Sequence, residues 1–295
     1  MTPPPSSRPL LRFLKGHGTE NDFLLLPDAD GSQGPPSAAL VRALCDRRAG
    51  LGADGVIRVV RTEAYDDPDA VAARGTAEWF MDYRNADGSL SEMCGNGVRV
   101  LGRYLALHEG VDVRRPLPVA TRAGIKELVF EGGDPDADIT VDMGVPQVLG
   151  RTSVEVGPVR SDALHVDLGN PHAVTFVEDL AAYPQPLAPP GYDPARYPDG
   201  VNVELVQRRG TSHVAMRVHE RGSGETRSCG TGACAVMVAA ALTDEGGPPS
   251  VTGREPAYRV DLPGGSLTIR WTAGDRVLMT GPAGLVAEGY WFVGR

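Results

Sequence analysis

The stretch Ser91-Glu92-Met93-Cys94-Gly95-Asn96-Gly97-Val98 places a cysteine directly before Gly-x-Gly and a segment with helical spacing. The same arrangement recurs at Arg227-Ser228-Cys229-Gly230-Thr231-Gly232-Ala233-Cys234. In each half of the chain, strands and a polar turn precede the cysteine and a helix follows it. The repetition predicts two domains built on one plan, with the two cysteine turns facing each other across a cleft.

Hydrophobic periodicity predicts a mixed α/β (α+β) chain with few helices and many short strands. Helices are predicted at 38–47, 97–108 and 232–242, and the last is apolar on every side, which indicates a helix buried all round. Strands are predicted at 23–26, 56–60, 78–83, 139–143, 165–168, 213–219 and 266–271. A helix wrapped by strands is the expected arrangement.

Composition and the repeat predict where the domains begin and end. Residues 1–10 are rich in proline and serine and are predicted to form a disordered leader. An N-terminal domain carrying Cys94 is predicted over 11–147, and a C-terminal domain carrying Cys229 over 148–295. The segment 184–198, rich in Pro, Tyr and Asp, is predicted to be an irregular surface loop.

Charge and composition narrow the classes of partner. The 295 residues carry a formal net charge of −9 without a long basic block, which disfavours nucleic acid and membrane surfaces and favours a small molecule. No signal-peptide pattern and no long apolar run is present, so we expect a cytoplasmic protein. Four cysteines are too few for a disulfide framework, and only Cys229 and Cys234 are near neighbours, so no zinc or other metal site is expected.

A cysteine at the start of a helix has two chemical advantages. The N–H groups of the first turn and the helix dipole stabilise a thiolate, and glycines let a substrate carboxylate approach the same N–H groups. Two such turns facing each other could hold one carboxylate with a sulfur on each face of its α-carbon. One thiolate could remove the α-proton while the other thiol protonates the opposite face, which is two-base inversion of a stereocentre.

Other interpretations of the cysteines remain open at this point. Cys45 and Cys234 are interpreted as small buried hydrophobic residues, and this is the ordinary role of any single cysteine. Glycine-rich turns before helices also bind phosphates, although neither turn has a P-loop or dinucleotide-binding pattern. A non-catalytic binding protein, or a redox sensor whose facing thiols join as a disulfide, is a further alternative.

Longer motifs resemble those of the diaminopimelate epimerase family. The main motifs are N-A-D-G-S (85–89) before the first cysteine turn, E-R-G-S-G-E-T (220–226) before the second, and G-N-P-H (169–172). Supporting matches are H-G-T-E-N-D-F (17–23), G-L-G-A-D-G (50–55), V-N-V (201–203) and T-G-P-A (280–283). The similarity runs in order from about Leu11 to Phe292.

The resemblance implies a cofactor-independent isomerase that interconverts LL- and meso-2,6-diaminoheptanedioate (diaminopimelate) in lysine and cell-wall precursor synthesis. It also implies two pseudo-symmetric α/β domains, each a curled mixed sheet around a central helix. The assembly that it implies is a homodimer.

By the same resemblance, Cys94 and Cys229 are the acid/base thiols, with Cys229 as proton acceptor and Cys94 as donor in the LL-to-meso direction. The backbone N–H groups that hold the reacting carboxylate are those of Gly95, Asn96, Gly230 and Thr231. The groups around the reacting amino group, which help to set thiol protonation, are Asn21, His172 and Glu220. The residues that bind the unreactive far end of the substrate are Asn85, Asn170, Asn202 and Arg221. Arginine pairs a carboxylate bidentately, and amides both donate and accept.

The sequence differs from its nearest alternatives and, at a few positions, from the common family pattern. Another two-thiol racemase of this fold, acting on proline or hydroxyproline, has no need for an arginine and three asparagines at a distal subsite. Phenazine-pathway isomerases are disfavoured because they lack the cysteine pair.

The first loop reads G-T-E-N-D where the common pattern is G-L-G-N-D, so Thr19 and Glu20 predict altered loop packing rather than altered chemistry. Gly55 stands where some members have a glutamine.

Overall fold

The computed structural model describes residues 10–157 and 159–293, which form 18 β-strands and five α-helices. The first nine strands are β1 (Leu10–Gly18), β2 (Asn21–Pro27), β3 (Gly55–Arg61), β4 (Trp79–Asn85), β5 (Leu117–Thr121), β6 (Gly124–Phe130), β7 (Ile139–Gly144), β8 (Gln147–Val156) and β9 (Val159–Asp167). The other nine are β10 (Pro171–Phe176), β11 (Gly191–Tyr192), β12 (Asn202–Gly210), β13 (His213–Glu220), β14 (Gly224–Thr226), β15 (Ala257–Leu262), β16 (Gly265–Trp271), β17 (Val277–Gly281) and β18 (Gly284–Phe292).

The helices are fewer and shorter in total than the strands. They are α1 (Ala38–Cys45), α2 (Pro68–Ala73), α3 (Gly95–Tyr104), α4 (Gly230–Glu245) and α5 (Pro249–Thr252). Short 3₁₀ turns lie at Thr62–Ala64, Glu131–Gly133 and Leu180–Ala182, and a π-helical turn, Leu105–Glu109, continues α3. Within the residues described, no helix is long and apolar enough to cross a lipid bilayer.

The chain divides into two compact units. The first contains the chain up to Gly18, the segment Asp22–Ile139 and the segment from Pro282 onwards; the second contains Thr19–Asn21 and Thr140–Gly281. This differs from the predicted domains, which assigned everything after residue 147 to the second. The C-terminal segment joins the first unit because β18 pairs antiparallel with β1. Leu10, predicted to be in the leader, pairs with Phe292 in this ladder; residues 1–9 of that leader lie outside the described residues.

In the first unit, a mixed sheet surrounds helix α3. Strand β2 is parallel to β3, β3 is antiparallel to β4, β4 is parallel to β5, and β5 is antiparallel to β6. Helix α3 contacts β1, β3 and β18, and all of its residues are buried. Glycine makes this close packing possible, since a Cβ on Gly97 would lie 2.9 Å from Met81 Cε and one on Gly102 would lie 2.7 Å from Leu128 Cδ1.

The second unit repeats this plan around helix α4. Strand β9 is antiparallel to β8 and β10, β10 is parallel to β12, β12 is antiparallel to β13, and β13 is parallel to β15. Strands β15, β16 and β17 continue it as an antiparallel ladder. Helix α4 contacts β9, β10, β12, β13, β15, β16 and β17, and its residues 232–241 are all buried. A mixed α/β fold with a curled sheet around a central helix is therefore confirmed for each unit.

The helix ends deviate from prediction for local reasons. Helix α1 ends at Cys45 rather than at residue 47, because Asp46 Oδ1 accepts the N–H groups of Arg48 and Ala49 and closes a turn there. Helices α3 and α4 each begin two residues earlier than predicted, directly after a cysteine. Helix α4 ends where Gly246 takes a left-handed conformation with φ of 77°.

Candidate active site

Cys229 is the N-cap residue of α4. Its backbone is extended, with φ −127° and ψ 114°, and its sulfur accepts a hydrogen bond from the Gly232 N–H at 3.4 Å. The Thr231 hydroxyl lies 3.5 Å from the same sulfur. Gly230 and Thr231 occupy the first helical positions, where backbone N–H groups have no acceptor inside the helix. The sulfur therefore lies among hydrogen-bond donors that favour negative charge.

Cys94 occupies the same position in the first unit, as the N-cap residue of α3. Its backbone is also extended, with φ −136° and ψ 121°, and the residue is half-buried. Gly95 and Asn96 form the first turn of the helix. The buried Arg99 donates to Asn96 Oδ1 at 2.8 Å and to the Gly95 carbonyl at 3.3 Å. This guanidinium holds the Asn96 side chain and adds positive charge to a helix end that already favours anions.

The environment of Cys229 opposes ionisation of its thiol. Burial raises the pKa of Cys229 well above its ordinary value, and the carboxylates of Glu220 and Glu204 raise it further. Hydrogen bonds from Thr231 and Gly232 lower this pKa by smaller amounts. Together these effects favour the thiol over the thiolate. Burial also raises the pKa of Cys45, to about 11, in keeping with its interpretation as an inert buried residue.

Glu220, the last residue of β13, is the carboxylate that contacts the Cys229 thiol. Burial raises the pKa of Glu220 above its ordinary value. Hydrogen bonds donated by the Thr226 hydroxyl and the Cys229 thiol lower it in part. A half-buried carboxylate that is more basic than usual and interacts with a thiol is suited to accept the thiol proton.

His172 is fully buried and hydrogen-bonded at both ring nitrogens. Its Nδ1 lies 2.6 Å from Glu204 Oε1, and its Nε2 lies 3.1 Å from Asn170 Oδ1. Asn170 Nδ2 in turn donates to Thr231 Oγ1 at 3.3 Å. A chain of hydrogen bonds thus leads from Glu204 to the threonine hydroxyl beside the Cys229 sulfur.

Asn202 and Arg221 lie next to this group. Asn202 pairs with His172 across the parallel strands β10 and β12, and its Oδ1 accepts the Arg221 N–H at 2.9 Å. The Arg221 guanidinium is exposed and donates to the Asp199 carbonyl at 3.3 Å, the only protein acceptor it has among the described residues. Arg221 can therefore still pair with a carboxylate, while Asn202 fixes its backbone.

Asn21 begins β2 after a turn formed by Thr19 and Glu20. Both turn residues have positive φ, 50° and 63°. The turn and Asn21 belong to the second unit, whereas β1 and the rest of β2 belong to the first. Thr19 contacts Ser228 and Glu20 contacts Arg227, the two residues directly before Cys229. Altered packing of this loop relative to the family stays a prediction.

Asn85 ends β4 opposite Gly55. Its Nδ2 donates to Ser89 Oγ at 3.1 Å, and its N–H donates to the Ser89 carbonyl at 3.0 Å. These bonds close the turn that leads towards Cys94. Its role in substrate binding stays a prediction.

The two units share the predicted site residues unequally. The second unit contains Asn21, Asn170, His172, Asn202, Glu220, Arg221, Cys229, Gly230 and Thr231, and the first contains Asn85, Cys94, Gly95 and Asn96. The sequence interpretation missed Glu204, the buried partner of His172. The signal was available, because Glu204 is a lone carboxylate inside the apolar run 201–206, and a buried charge requires a partner.

The described part of the chain offers no ready site for a metal ion. Among residues 10–157 and 159–293, no group of three or more His, Cys, Asp or Glu side chains is arranged to hold one.

Comparison with known proteins adds a finding independent of this geometry. A family profile described as "Diaminopimelate epimerase" matches residues 13–149 and 164–286. The chain is 55% identical over 282 residues to a diaminopimelate epimerase of Streptomyces coelicolor, covering 95% of this chain and 94% of that one. It is 49% identical over 283 residues to one of Thermobifida fusca, covering 95% and 97%.

Solved structures extend the comparison of the fold. A PhzF-family phenazine biosynthesis protein from Bacillus anthracis matches with a TM-score of 0.71 and 16% sequence identity, covering 97% of this chain and 100% of that one. At this identity the likeness shows a common fold and says nothing about substrate.

Proposed function

The chain belongs to the diaminopimelate epimerase family, and we propose that it interconverts LL- and meso-diaminopimelate by proton transfer at the α-carbon, without a cofactor. One observation carries the proposal: in each unit, the N-cap residue of the buried central helix is a cysteine followed by Gly-x-Gly. Ser, Thr, Asp and Asn are the usual caps because their oxygens accept strong hydrogen bonds. A thiol at both positions is explained by chemistry better than by helix stability.

Proton removal begins with Cys229 in the LL-to-meso direction. Its thiol passes a proton to Glu220, whose raised pKa makes it a better base than an ordinary glutamate. Hydrogen bonds from the Gly232 N–H and the Thr231 hydroxyl support the thiolate that remains. The thiolate then takes the α-proton, so the barrier includes the free energy of forming a thiolate in a buried site.

Charge that leaves the α-carbon gathers on the substrate carboxylate as the carbon becomes planar. The N–H groups of Gly230 and Thr231 in one unit, and of Gly95 and Asn96 in the other, would bind this carboxylate. Donors aimed at developing charge in a dry site are typically worth about 3–4 kcal/mol each. They stabilise the transition state more than the bound substrate, which is what acceleration requires.

Cys94 completes the inversion by delivering a proton to the opposite face of the α-carbon. The chemistry requires both sulfurs to reach one carbon from opposite sides. Because the reaction is reversible, each cysteine removes a proton in one direction and supplies one in the other. Asn21, His172 and Glu220 would surround the reacting amino group.

The far end of diaminopimelate carries a second ammonium and carboxylate. Arg221 is supported as the carboxylate partner by its exposed guanidinium and by the Asn202 bond that fixes its backbone. Asn85, Asn170 and Asn202 would complete this subsite. Substrates without a polar far end would leave buried polar groups unsatisfied and be rejected.

Assembly and location belong to the same proposal. We propose a cytoplasmic homodimer that binds neither nucleic acid nor membranes, in keeping with the net charge of −9. The proposal also includes the two domains that the sequence predicts, each carrying one of the two thiols.

The proposal is tested by incubating the reduced protein with LL-diaminopimelate and separating the isomers by chiral chromatography. Formation of meso-diaminopimelate, with no inversion of proline or hydroxyproline, is the expected result. Cys94→Ala and Cys229→Ala should each lower the rate by about 10³-fold or more, while Cys45→Ala retains it. Inversion of proline alone would replace the substrate assignment, and full activity in Cys94→Ala would remove the two-thiol mechanism.

A further inference from the structure

The turn formed by Thr19 and Glu20 holds two consecutive residues in the left-handed region, with φ of 50° and 63°. Glycine takes this conformation freely, but a β-branched threonine does so at a cost of about 1–3 kcal/mol. Strain of this kind persists only where surrounding contacts hold it, so the contacts of the turn indicate what it does.

One buried contact of the turn is between two hydroxyl groups. Thr19 Oγ1 lies 2.5 Å from Ser228 Oγ, and both residues are only 2% exposed. Ser228 directly precedes Cys229, and Thr19 lies two residues before Asn21. One short hydrogen bond therefore joins the segment that carries the proposed catalytic thiol to the segment that carries a proposed substrate contact.

A second turn packs against the backbone of the first. The Gly264 N–H donates to the Arg227 carbonyl at 2.9 Å, and a Cβ on Gly264 would lie 2.0 Å from the Thr19 carbonyl oxygen. A Cβ on Gly265 would lie 3.2 Å from Thr19 Cγ2. Thr19 is thus confined on one side by the Gly264–Gly265 turn and bonded on the other to the residue before Cys229.

The exposed contact of the same turn is an ion pair between Glu20 and Arg227. Their side chains are 49% and 61% exposed, and ion pairs in that setting contribute only about 0–1 kcal/mol. The neighbouring contacts of Thr19 and Glu20 therefore differ in burial, and only the buried one can fix a backbone position strongly. Glu20 supplies a matched control.

We infer that Thr19 is a positioning residue for Cys229, and that its buried hydrogen bond to Ser228 holds the cysteine turn in the geometry from which the sulfur reacts. The hydroxyl acts through Ser228 and does not touch the substrate. The inference rests on the proposed function only in treating Cys229 as catalytic.

Alkylation of the thiols tests the proposed role of Thr19 without any substrate. The full-length proteins are treated with limiting iodoacetamide, and the modified Cys229 and Cys94 peptides are quantified by mass spectrometry, with Cys94 as internal reference. Thr19→Val keeps the shape of the side chain and removes the hydroxyl. We expect this variant to raise the ratio of Cys229 to Cys94 modification about fivefold. Loss of one buried hydrogen bond makes local opening of the turn easier by about that factor, and opening exposes the buried Cys229 thiol to the reagent.

Three further variants define the source of that change. Thr19→Ser keeps the hydroxyl and should return the ratio to within about twofold of wild type, and Glu20→Gln should leave it unchanged. Ser228→Ala removes the other half of the bond and should match Thr19→Val, which also gives a usable variant if Thr19→Val fails to fold. The double variant should be no more reactive than either single one.

Epimerisation kinetics provide the second readout. Thr19→Val should lower kcat about fivefold or more, with KM within about twofold, because a displaced sulfur slows proton transfer more than substrate binding. An unchanged ratio in Thr19→Val, equal acceleration of both thiols, or the same effect in Glu20→Gln would overturn the inference. A wild-type protein that does not convert diaminopimelate would contradict the proposed function alone, because the alkylation ratio would still test whether Thr19 positions Cys229.

Discussion

Burial acts in the same direction on Cys229 and Glu220, the two ionisable groups that meet before α4. It raises the pKa of the thiol and of the carboxylate, because desolvation penalises both anions. Their negative charges also oppose each other, so the site holds one proton more firmly than either group would alone. In the proposed mechanism, a proton shared in this way passes to the carboxylate when the substrate enters.

Glu220→Gln tests this arrangement through activity and stability together. We expect a loss of about 10²-fold or more in kcat, because the thiol loses its proton acceptor. The pKa of Glu220 is raised on folding, so stability associated with this group is fully present below its unfolded pKa and is lost as pH rises through the folded pKa. Urea unfolding should therefore show the variant more stable than wild type at pH 8, with the gain disappearing towards about pH 4.

Lower stability of Glu220→Gln at pH 8 would contradict this view of the burial of Glu220. A variant less stable than wild type at pH 8 would show that the hydrogen bond from Thr226 outweighs the burial of the charge.

Glu204 stabilises the buried site through its hydrogen bond with His172. Both side chains are 0% exposed, and Glu204 Oε2 has no hydrogen-bond partner among the described residues. Glu204→Ala should lower the free energy of unfolding by about 3–5 kcal/mol, because it leaves a buried imidazole without its partner. Glu204→Gln keeps a hydrogen bond and should lose less in the same urea experiment. Equal stability of the alanine variant and wild type would refute this view of the pair.

The start of α4 shows how an element places a functional atom. A Cβ on Gly232 would lie 3.0 Å from Glu204 Oε1 and 3.3 Å from Cys229 Sγ, so only glycine leaves the sulfur where it is. A Cβ on Gly97, at the corresponding place in α3, would instead meet core side chains, with Met81 Cε at 2.9 Å. Two similar motifs therefore require their glycines for different reasons.

Alanine substitutions at Gly232 and Gly97 test whether the two glycines are required for different reasons. Gly232→Ala should lower kcat about tenfold or more by displacing the sulfur, since small misplacements of reacting groups are costly. Gly97→Ala should chiefly lower the free energy of unfolding, by about 1–3 kcal/mol through overpacking. Steady-state kinetics and urea unfolding on both variants give the comparison. Equal losses of activity in both would contradict the distinction.

Elements were predicted with unequal success, and the reasons are physical. The continuous apolar surface of α4 identifies it in the sequence, but α3 and α4 both begin two residues before their predicted starts, because cysteine is not a usual cap. Long exposed strands such as β8 and β18 were missed, since they mix polar and apolar residues on both faces. The cysteine motifs predicted that Cys94 and Cys229 lie directly before helices, which the structure shows, and their catalytic role stays a prediction. No local pattern around Glu204 identified His172 as its partner.

At the scale of the molecule, the ends of the chain decide the composition of the first unit. Strand β18 returns to pair with β1, and the carbonyls of Pro282 and Ala283 accept hydrogen bonds from Arg99 and Arg103 of α3. No local pattern in the sequence could predict a pairing between strands so far apart. A boundary drawn at the midpoint of a repeat therefore assigned the last segment to the other half.

Deletion of residues 284–295 tests this closure of the first unit. The truncated chain loses the partner of β1, so limited proteolysis should cut first within residues 22–139 and leave a fragment spanning 140–281 longest. Mass spectrometry of the early fragments identifies the sites. Initial cleavage inside 140–281 would contradict the division.

In the proposed mechanism, two different thiols remove and supply the proton. Its most direct test is the early reaction of LL-diaminopimelate in D₂O with the wild-type protein, followed by separation of the isomers and determination of deuterium at each α-carbon. We expect deuterium at the newly formed centre of meso-diaminopimelate while the remaining LL substrate keeps its hydrogen, because the thiol that delivers the proton differs from the one that accepts it. Product that retains the original hydrogen, or deuterium entering the LL pool as fast as meso forms, would show a single base and contradict it.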